Sequence, residues 1–154
     1  MNIGIIIPDM GASQLAYMAI NQANIGSQTE DSYFVFFENT KMPCVKPMVS
    51  CMNISELHTF HGILISTSID TTLYAINAIT NTRKIFYVWD LEWLRPNKNN
   101  FLYNMQAFRN EEVEIMCRSE RHSKLIKNYC NREPSLIFNN LNLLALKEHM
   151  KDKS

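Results

Sequence analysis

The sequence has few cysteines, no long apolar run and no basic N-terminal segment. Its four cysteines form no C-x-x-C pair, and a chain of this size can bury a core without disulfides, so we expect reduced thiols. The longest wholly apolar run is far shorter than the roughly 20 residues of a membrane-spanning helix. No Lys or Arg precedes Lys41, unlike the start of a signal peptide. These absences predict one cytoplasmic domain over residues 1–154 with no membrane span.

Several signatures of catalytic and metal sites are also missing. The sequence contains no G-x-S-x-G nucleophile elbow and no P-loop, so nothing supports acyl transfer or P-loop phosphoryl transfer. His58 and His61 have no supporting Cys or carboxylate cluster, so we predict no metal site. His122 is a weak acid–base candidate, for which an exposed helix position is the alternative.

The net charge of zero hides an uneven distribution. Residues 1–82 hold two basic and six acidic side chains, whereas residues 83–154 hold thirteen basic and nine acidic ones. The C-terminal half therefore favours an anionic ligand or partner, unless these are ordinary solvated helix faces. A nucleic acid is conceivable as a partner but is not indicated, because the neutral chain lacks the strong field of most such binders.

Hydrophobic periodicity predicts strands that alternate with helices. Short apolar runs predict strands at 2–8, 32–39, 62–66, 85–89, 112–117 and 135–138, and an edge strand at 46–53. Helical patterns cover 13–24, about 70–82, 99–109 and 120–130, with a short helical connection at 54–60. This alternation predicts an α/β fold with a single doubly wound, mostly parallel sheet and helices on both faces, as in Rossmann-like domains.

Polar residues follow the predicted strands, where an open α/β sheet binds its ligands. We expect Asp90 or Glu92 to act as a general base and Arg118 or Arg95 to hold an anion, the alternative being solvated loop residues. Trp89 and Trp93 offer flat surfaces for a sugar or base, although core packing would explain both. The predicted substrate-binding residues are Gly11, Ala12, Ser66, Thr67, Trp93, Arg118, Ser119 and Asn139.

The turn after the first predicted strand contains one glycine, Gly11, followed by Ala12 and Ser13. Such a turn can place the N–H groups of a helix N-terminus next to a phosphate or a sugar hydroxyl. It does not match the G-x-G-x-x-G fingerprint, and a plain tight turn is the alternative.

Five segments together resemble the N-terminal half of GT-B glycosyltransferases, including the related fold of phage DNA glucosyltransferases. They are 2–8 with the Gly11 turn, 62–68, 85–95, 113–122 and 136–140. The resemblance implies that the Gly11 turn and the Asp90 loop face the acceptor. Asp90 matches a position where the family often has His or Asp near the reacting hydroxyl, but Trp89 precedes it here instead of His.

The same resemblance implies where the donor would bind. In the family, a C-terminal domain holds most contacts to the nucleotide sugar. We therefore expect no tightly bound cofactor, but a nucleotide-sugar donor presented by a separate donor-binding subunit or within a homo-oligomer. A binding or assembly module without catalysis, on the same scaffold, is the main alternative. A small nucleotide-binding regulator is a third hypothesis, which the single glycine of the first turn weakens.

Overall fold

The computed structural model describes residues 1–78 and 83–152, which form a seven-stranded, wholly parallel sheet. The strands are β1 (Asn2–Asp9), β2 (Ser32–Asn39), β3 (Ser50–Asn53), β4 (Ile63–Ser66), β5 (Arg83–Val88), β6 (Val113–Cys117) and β7 (Leu136–Ile137). The helices are α1 (Gln14–Gly26), α2 (Ile69–Asn77), α3 (Phe101–Phe108), α4 (Glu120–Cys130) and α5 (Leu143–Asp152). Three 3-10 turns cover Ile54–Thr59, Glu92–Leu94 and Pro96–Lys98.

The strand order is β3-β2-β1-β4-β5-β6-β7, so the chain reverses direction across the sheet between β1 and β4. From β1 the chain crosses through α1 to β2 on one side, and from β4 it crosses through α2 to β5 on the other. This reversal opens a crevice beyond the carboxyl ends of β1 and β4, where doubly wound sheets bind ligands. The predicted doubly wound parallel fold is confirmed.

Both faces of the sheet are covered because the central strands are apolar on both sides. Alternate residues of β5 point to opposite faces: Ile85 and Tyr87 pack with α1 and α5, whereas Phe86 and Val88 pack with α3 and α4. All four side chains are fully buried. The continuous apolar runs of the sequence are therefore the signature of a sheet with helices on both faces.

Serine side chains begin the three helices that follow β1, β4 and β6. Ser13, Ser68 and Ser119 each have extended backbone geometry, and their hydroxyl oxygens accept hydrogen bonds from the N–H groups of Ala16, Thr71 and His122. These caps satisfy N–H groups that have no partner within the helix. They also fix where each helix begins relative to the end of the preceding strand.

Several predicted boundaries differ from the structure. The edge strand is shorter than predicted, because β3 begins at Ser50, beyond both Pro43 and Pro47. The last helical residue of α2 is Asn77, since Ala78 is already extended; residues 79–82, to which this helix was predicted to continue, lie outside the described residues. No helix was predicted after residue 142, but this segment forms α5, which packs against α1 through Leu143 and Leu146. Within the described residues no helix has the length and apolarity needed to cross a membrane.

Candidate functional site

An open cleft of about 330 Å³ lies at the chain reversal between β1 and β4. Its walls come from the end of β1, the start of α1, the segment between β4 and α2, and the loop after β5. The lining residues are Pro8, Asp9, Ser13, Gln14, Leu15, Thr67, Ser68, Trp89, Asp90, Glu92 and Arg95. The cleft therefore occupies the position where ligands bind in this class of fold.

The turn after β1 is held by the carboxylate of Asp9, which was not predicted from the sequence. Asp9 Oδ1 accepts a hydrogen bond of 2.8 Å from the N–H of Gly11, and Asp9 Oδ2 lies 3.0 Å from Lys41 Nζ. A Cβ at Gly11 would lie 2.9 Å from the Lys41 side chain, so a larger residue here would require that side chain to move. Gly11 is buried in the turn and Ala12 is exposed, and neither lines the cleft. The sequence signal was an Asp two residues before a Gly, the pattern of an Asx turn.

The first turn of α1 presents backbone donors to the cleft. Ser13 Oγ accepts from Ala16 N–H at 3.1 Å. In the part of the chain that the structure describes, the N–H groups of Gln14 and Leu15 have no acceptor on the protein. Both residues line the cleft, so a ligand oxygen could accept from these donors at the positive end of the helix dipole.

The two polar residues at the end of β4 have different surroundings. Ser66 is buried, and its hydroxyl bonds to Thr72 Oγ1 at 2.7 Å and donates to the Ile85 carbonyl at 3.1 Å. Thr67 lines the cleft, but its hydroxyl donates to the Ile6 carbonyl at 2.7 Å. Ser66 therefore joins β4 to β5 and α2, whereas Thr67 joins the end of β4 to β1 and keeps only acceptor capacity for a ligand.

Asp90 provides an accessible carboxylate in the cleft. Its side chain is 43% exposed and forms an ion pair with Arg95, whose side chain is 63% exposed. An ion pair this exposed contributes little to stability and can rearrange at small cost. Asp90 and Arg95 can therefore exchange partners with a ligand without disturbing the fold.

Glu92 is only two residues away but is buried, with 8% of its surface exposed. Its Oε2 accepts a 2.7 Å hydrogen bond from the N–H of Ile69, the first residue of α2. Burial raises the pKa of Glu92 and nearby Asp70 adds to the effect, although the Ile69 bond, Lys98 and Arg95 oppose it. Glu92 thus lines the cleft and also caps α2, a second contact that the sequence did not reveal.

Arg118 lies against one wall of the cleft without lining it. Its guanidinium carbon is 4.1 Å from the centre of the Trp89 ring, and its Nη1 donates to the Trp89 carbonyl at 3.3 Å. This stacking holds the indole that lines the cleft. Next to it, Ser119 Oγ lies 2.8 Å from His122 Nδ1. Burial lowers the pKa of His122, and Arg118 lowers it further.

Trp93 and Asn139 make contacts away from the cleft. The Trp93 ring stacks on Tyr129 with ring centres 4.1 Å apart and meets the edge of Phe108 at 5.4 Å. This is packing between the loop after β5 and the helices α3 and α4. Asn139 is exposed, and its side chain accepts from the N–H of Asn140 at 2.9 Å.

The cleft therefore brings together five of the residues that were predicted for catalysis or binding at the strand ends: Thr67, Trp89, Asp90, Glu92 and Arg95. The other seven do not line it: Gly11, Ala12, Ser66, Trp93, Arg118, Ser119 and Asn139. Asp9, Ser13 and Gln14 line it without having been predicted as site residues.

No group of three or more His, Cys, Asp or Glu side chains is placed to hold a metal within residues 1–78 and 83–152. The cysteines in this part of the chain are free, with Cys117 and Cys130 buried. No protein-family model, curated protein or solved structure matches this chain significantly, so its interpretation rests on the fold and the geometry of the cleft.

Proposed function

We propose that the cleft binds a hydroxyl-bearing acceptor and that this chain is the acceptor-side part of a glycosyltransferase, with Asp90 as the base. The observation that carries the proposal is the accessible Asp90 carboxylate at the carboxyl end of β5, inside the cleft at the chain reversal. The resemblance of residues 85–95 to GT-B enzymes led to the same residue from sequence.

In the proposed reaction, Asp90 takes the proton from an acceptor hydroxyl while the hydroxyl oxygen attacks the anomeric carbon of the donor. The bond between that carbon and the nucleotide phosphate breaks, and the leaving phosphate keeps the electron pair. A carboxylate is suited to this proton transfer when it is within hydrogen-bond reach of the hydroxyl. Arg95 would leave Asp90 and pair with an anionic group, which its exposed position permits.

Other cleft residues would orient the acceptor. The free N–H groups of Gln14 and Leu15 can donate to an acceptor oxygen, and Thr67 Oγ1 can accept from a hydroxyl. Trp89, held by Arg118, provides an apolar surface in the same cleft. This mixture of a few directed polar groups with an aromatic wall is typical of small-molecule sites.

The size of the cleft favours an acceptor over a complete donor. Its volume of about 330 Å³ is close to the lower limit of ligand pockets, which range over roughly 300–1,000 Å³. A nucleotide sugar is larger than a single sugar ring and would extend out of this cleft. We therefore propose that a separate donor-binding subunit or a second copy of the chain presents the nucleotide sugar.

The test is transfer from a panel of nucleotide sugars to a panel of sugar acceptors, with a candidate donor-binding subunit present. Asp90→Asn should abolish transfer, because an amide cannot take the proton. Glu111→Gln is the matched control, since Glu111 is exposed and precedes β6 at the opposite end of the sheet. Unchanged transfer by the Asp90→Asn variant would remove Asp90 from the mechanism.

A non-catalytic assembly module is the second candidate, and exposed apolar side chains favour it. Leu94 and Leu102 are both strongly exposed in the segment between β5 and α3 and in α3 itself. Exposed apolar side chains of this size can mark a protein interface when they are contiguous. For an assembly module, Leu102→Glu should weaken capture of the partner, whereas Asp90→Asn should leave that capture unchanged. If Leu102→Glu had no effect on capture and Asp90→Asn abolished sugar transfer, the enzyme would be favoured.

A further inference from the structure

Two neighbouring hollows form a groove along the outer face of α2. They have volumes of about 410 and 390 Å³ and share Tyr74 and Asn77 as lining residues. One continues past Asp70 to Tyr103 of α3, and the other reaches the 3-10 turn Ile54–Thr59. We call the two hollows together the α2 groove.

A charged cluster fixes one end of the α2 groove. Asp70 accepts hydrogen bonds of 2.7 Å from Lys98 Nζ and 2.7 Å from the Tyr103 hydroxyl. Burial alone would raise the pKa of Asp70, but these two bonds outweigh it and lower the pKa. The bond to Asp70 also raises the pKa of Tyr103 to about 12. Tyr103 therefore stays protonated and its ring is held in place.

The remaining polar groups of the groove are available to a ligand. Glu38 at the end of β2 has neither an ion pair nor a hydrogen bond within the described residues. Asn77 is exposed at the end of α2 and offers both a donor and an acceptor. Between them, the Tyr74 side chain is 46% exposed and presents an aromatic surface.

We infer that the α2 groove binds a neutral oligosaccharide, as an extension of the acceptor that the cleft would hold. The C–H groups on one face of a sugar ring carry a small positive charge and pack on the negative face of an aromatic ring such as Tyr74. Sugar hydroxyls can donate to the Glu38 carboxylate and exchange hydrogen bonds with Asn77. The inference rests on the proposed function, because it names the acceptor as a glycan longer than one ring.

Other ligand classes fit the groove less well. A polyanion would be repelled by Glu38, since Lys98 offsets the charge of Asp70 but not that of Glu38. An apolar peptide would bury the Glu38 carboxylate without a partner, which is costly. A cation would find Asp70 already paired with Lys98 and would be left with Glu38 as its counter-charge. A neutral ligand rich in hydroxyl groups can hydrogen-bond to Glu38 without displacing Lys98.

Neighbouring residues at the start of α2 line the cleft and the groove. Ser68, the cap of this helix, lines the cleft, and Asp70, two residues later, lines the groove. Glu92 lies at the same helix terminus through its bond to Ile69. The glycan that we infer would run from the cleft at Asp90 past the start of α2 to Tyr74.

The test is a titration of the ¹⁵N-labelled chain with maltohexaose, cellohexaose and chitohexaose, followed by backbone amide shifts. At least one of the three should shift the amides of Asp70, Tyr74 and Asn77. Tyr74→Ala should weaken that binding about tenfold, because it removes the stacking surface. Tyr17→Ala is the matched control, since Tyr17 is similarly exposed on α1, which covers the opposite face of the sheet.

Three results would overturn the inference: no shift of these amides with any of the hexasaccharides, equal binding by the Tyr74→Ala and Tyr17→Ala variants, or the same shifts with spermine, which would indicate a cation site.

Asp90→Asn separates this inference from the proposed function, because it should abolish transfer while groove binding persists. Groove binding without transfer to any sugar would refute the enzyme alone. Asp90-dependent transfer to single sugars without groove binding would refute the groove alone.

Discussion

The two ends of the sheet use their polar side chains differently. At the amino end, Arg132 donates to the carbonyls of Phe108, Asn110 and Val113 at 2.8–3.1 Å, and Arg83 Nη2 lies 2.6 Å from Glu114 Oε2. At the carboxyl end, Asp90 and Arg95 are exposed and, among the residues that the structure describes, are paired only with each other. The amino end uses its charged groups to join elements, whereas the carboxyl end keeps some of them accessible to a ligand.

Within the carboxyl end, the loop after β5 repeats this contrast over three residues. Asp90 is exposed and has an exchangeable partner, whereas Glu92 is buried and caps α2. Two similar carboxylates in one loop therefore have different roles, set by whether a neighbouring element covers them. Substitutions at the two ends can test this comparison.

The largest loss of stability is expected at the amino end. Arg132→Ala should lower the free energy of unfolding by about 2–3 kcal/mol, because it leaves three carbonyls without their charged donor. Urea denaturation monitored by circular dichroism measures the change. Arg132→Lys should recover only part of the loss, since an ammonium lacks the planar fork.

Arg121→Ala, at an exposed position of α4, is the control and should change stability by less than about 0.5 kcal/mol. Equal effects of Arg132→Ala and Arg121→Ala would contradict the structural role of Arg132.

An intermediate effect is expected at Glu92. Glu92→Ala should cost about 1–2 kcal/mol, because the Ile69 N–H loses its acceptor at the start of α2. Glu92→Gln keeps an acceptor oxygen and should be closer to the wild type in urea denaturation. If the alanine and glutamine variants had equal stability, the capping role of Glu92 would be wrong.

The buried carboxylate also has a signature in the pH dependence of stability. Burial raises the pKa of Glu92 in the folded state, so the folded chain holds this proton more tightly than the unfolded chain. The resulting stabilisation is fully present below the unfolded pKa and is lost as the pH rises through the folded pKa. Glu92→Gln removes this contribution. The unfolding free energy of the wild type minus that of the variant should therefore fall as the pH rises across the acidic range. A difference that is constant with pH would contradict the burial of an ionisable Glu92.

The smallest effect on stability is expected at the exposed pair. Asp90→Asn and Arg95→Ala should each change the free energy of unfolding by less than about 1 kcal/mol, because exposed ion pairs contribute little. Thermal and urea unfolding measure this directly. A large destabilisation by Asp90→Asn would place Asp90 with the structural groups and remove the contrast with Glu92.

Much of the fold could be predicted from sequence because burial on both faces leaves continuous apolar runs. The apolar runs around Ile5 and Ile85 predicted strands, and the helical patterns at 13–24 and 120–130 predicted helices. The structure confirms these elements. The β3 boundary was predicted less well because two prolines precede it, and α5 was not predicted.

The cleft could be predicted only in part. Thr67, Asp90 and Glu92 were found because each follows a strand, and the carboxyl ends of parallel strands share one edge. Asp9 was missed because its role depends on Lys41, which reaches it from the loop after β2. Trp93 looked accessible in sequence, but Tyr129 from α4 covers its ring.

The sequence by itself determined the layered architecture, since apolar runs of strand length that alternate with helical patterns are buried between two layers of helices. It also determined which polar residues follow each strand. Only the tertiary structure decided which of these residues remain accessible, because contacts such as Glu92 with Ile69 or Trp93 with Tyr129 join residues more than twenty positions apart. Local patterns carry information about burial and periodicity, but the choice of a distant partner depends on how the elements pack.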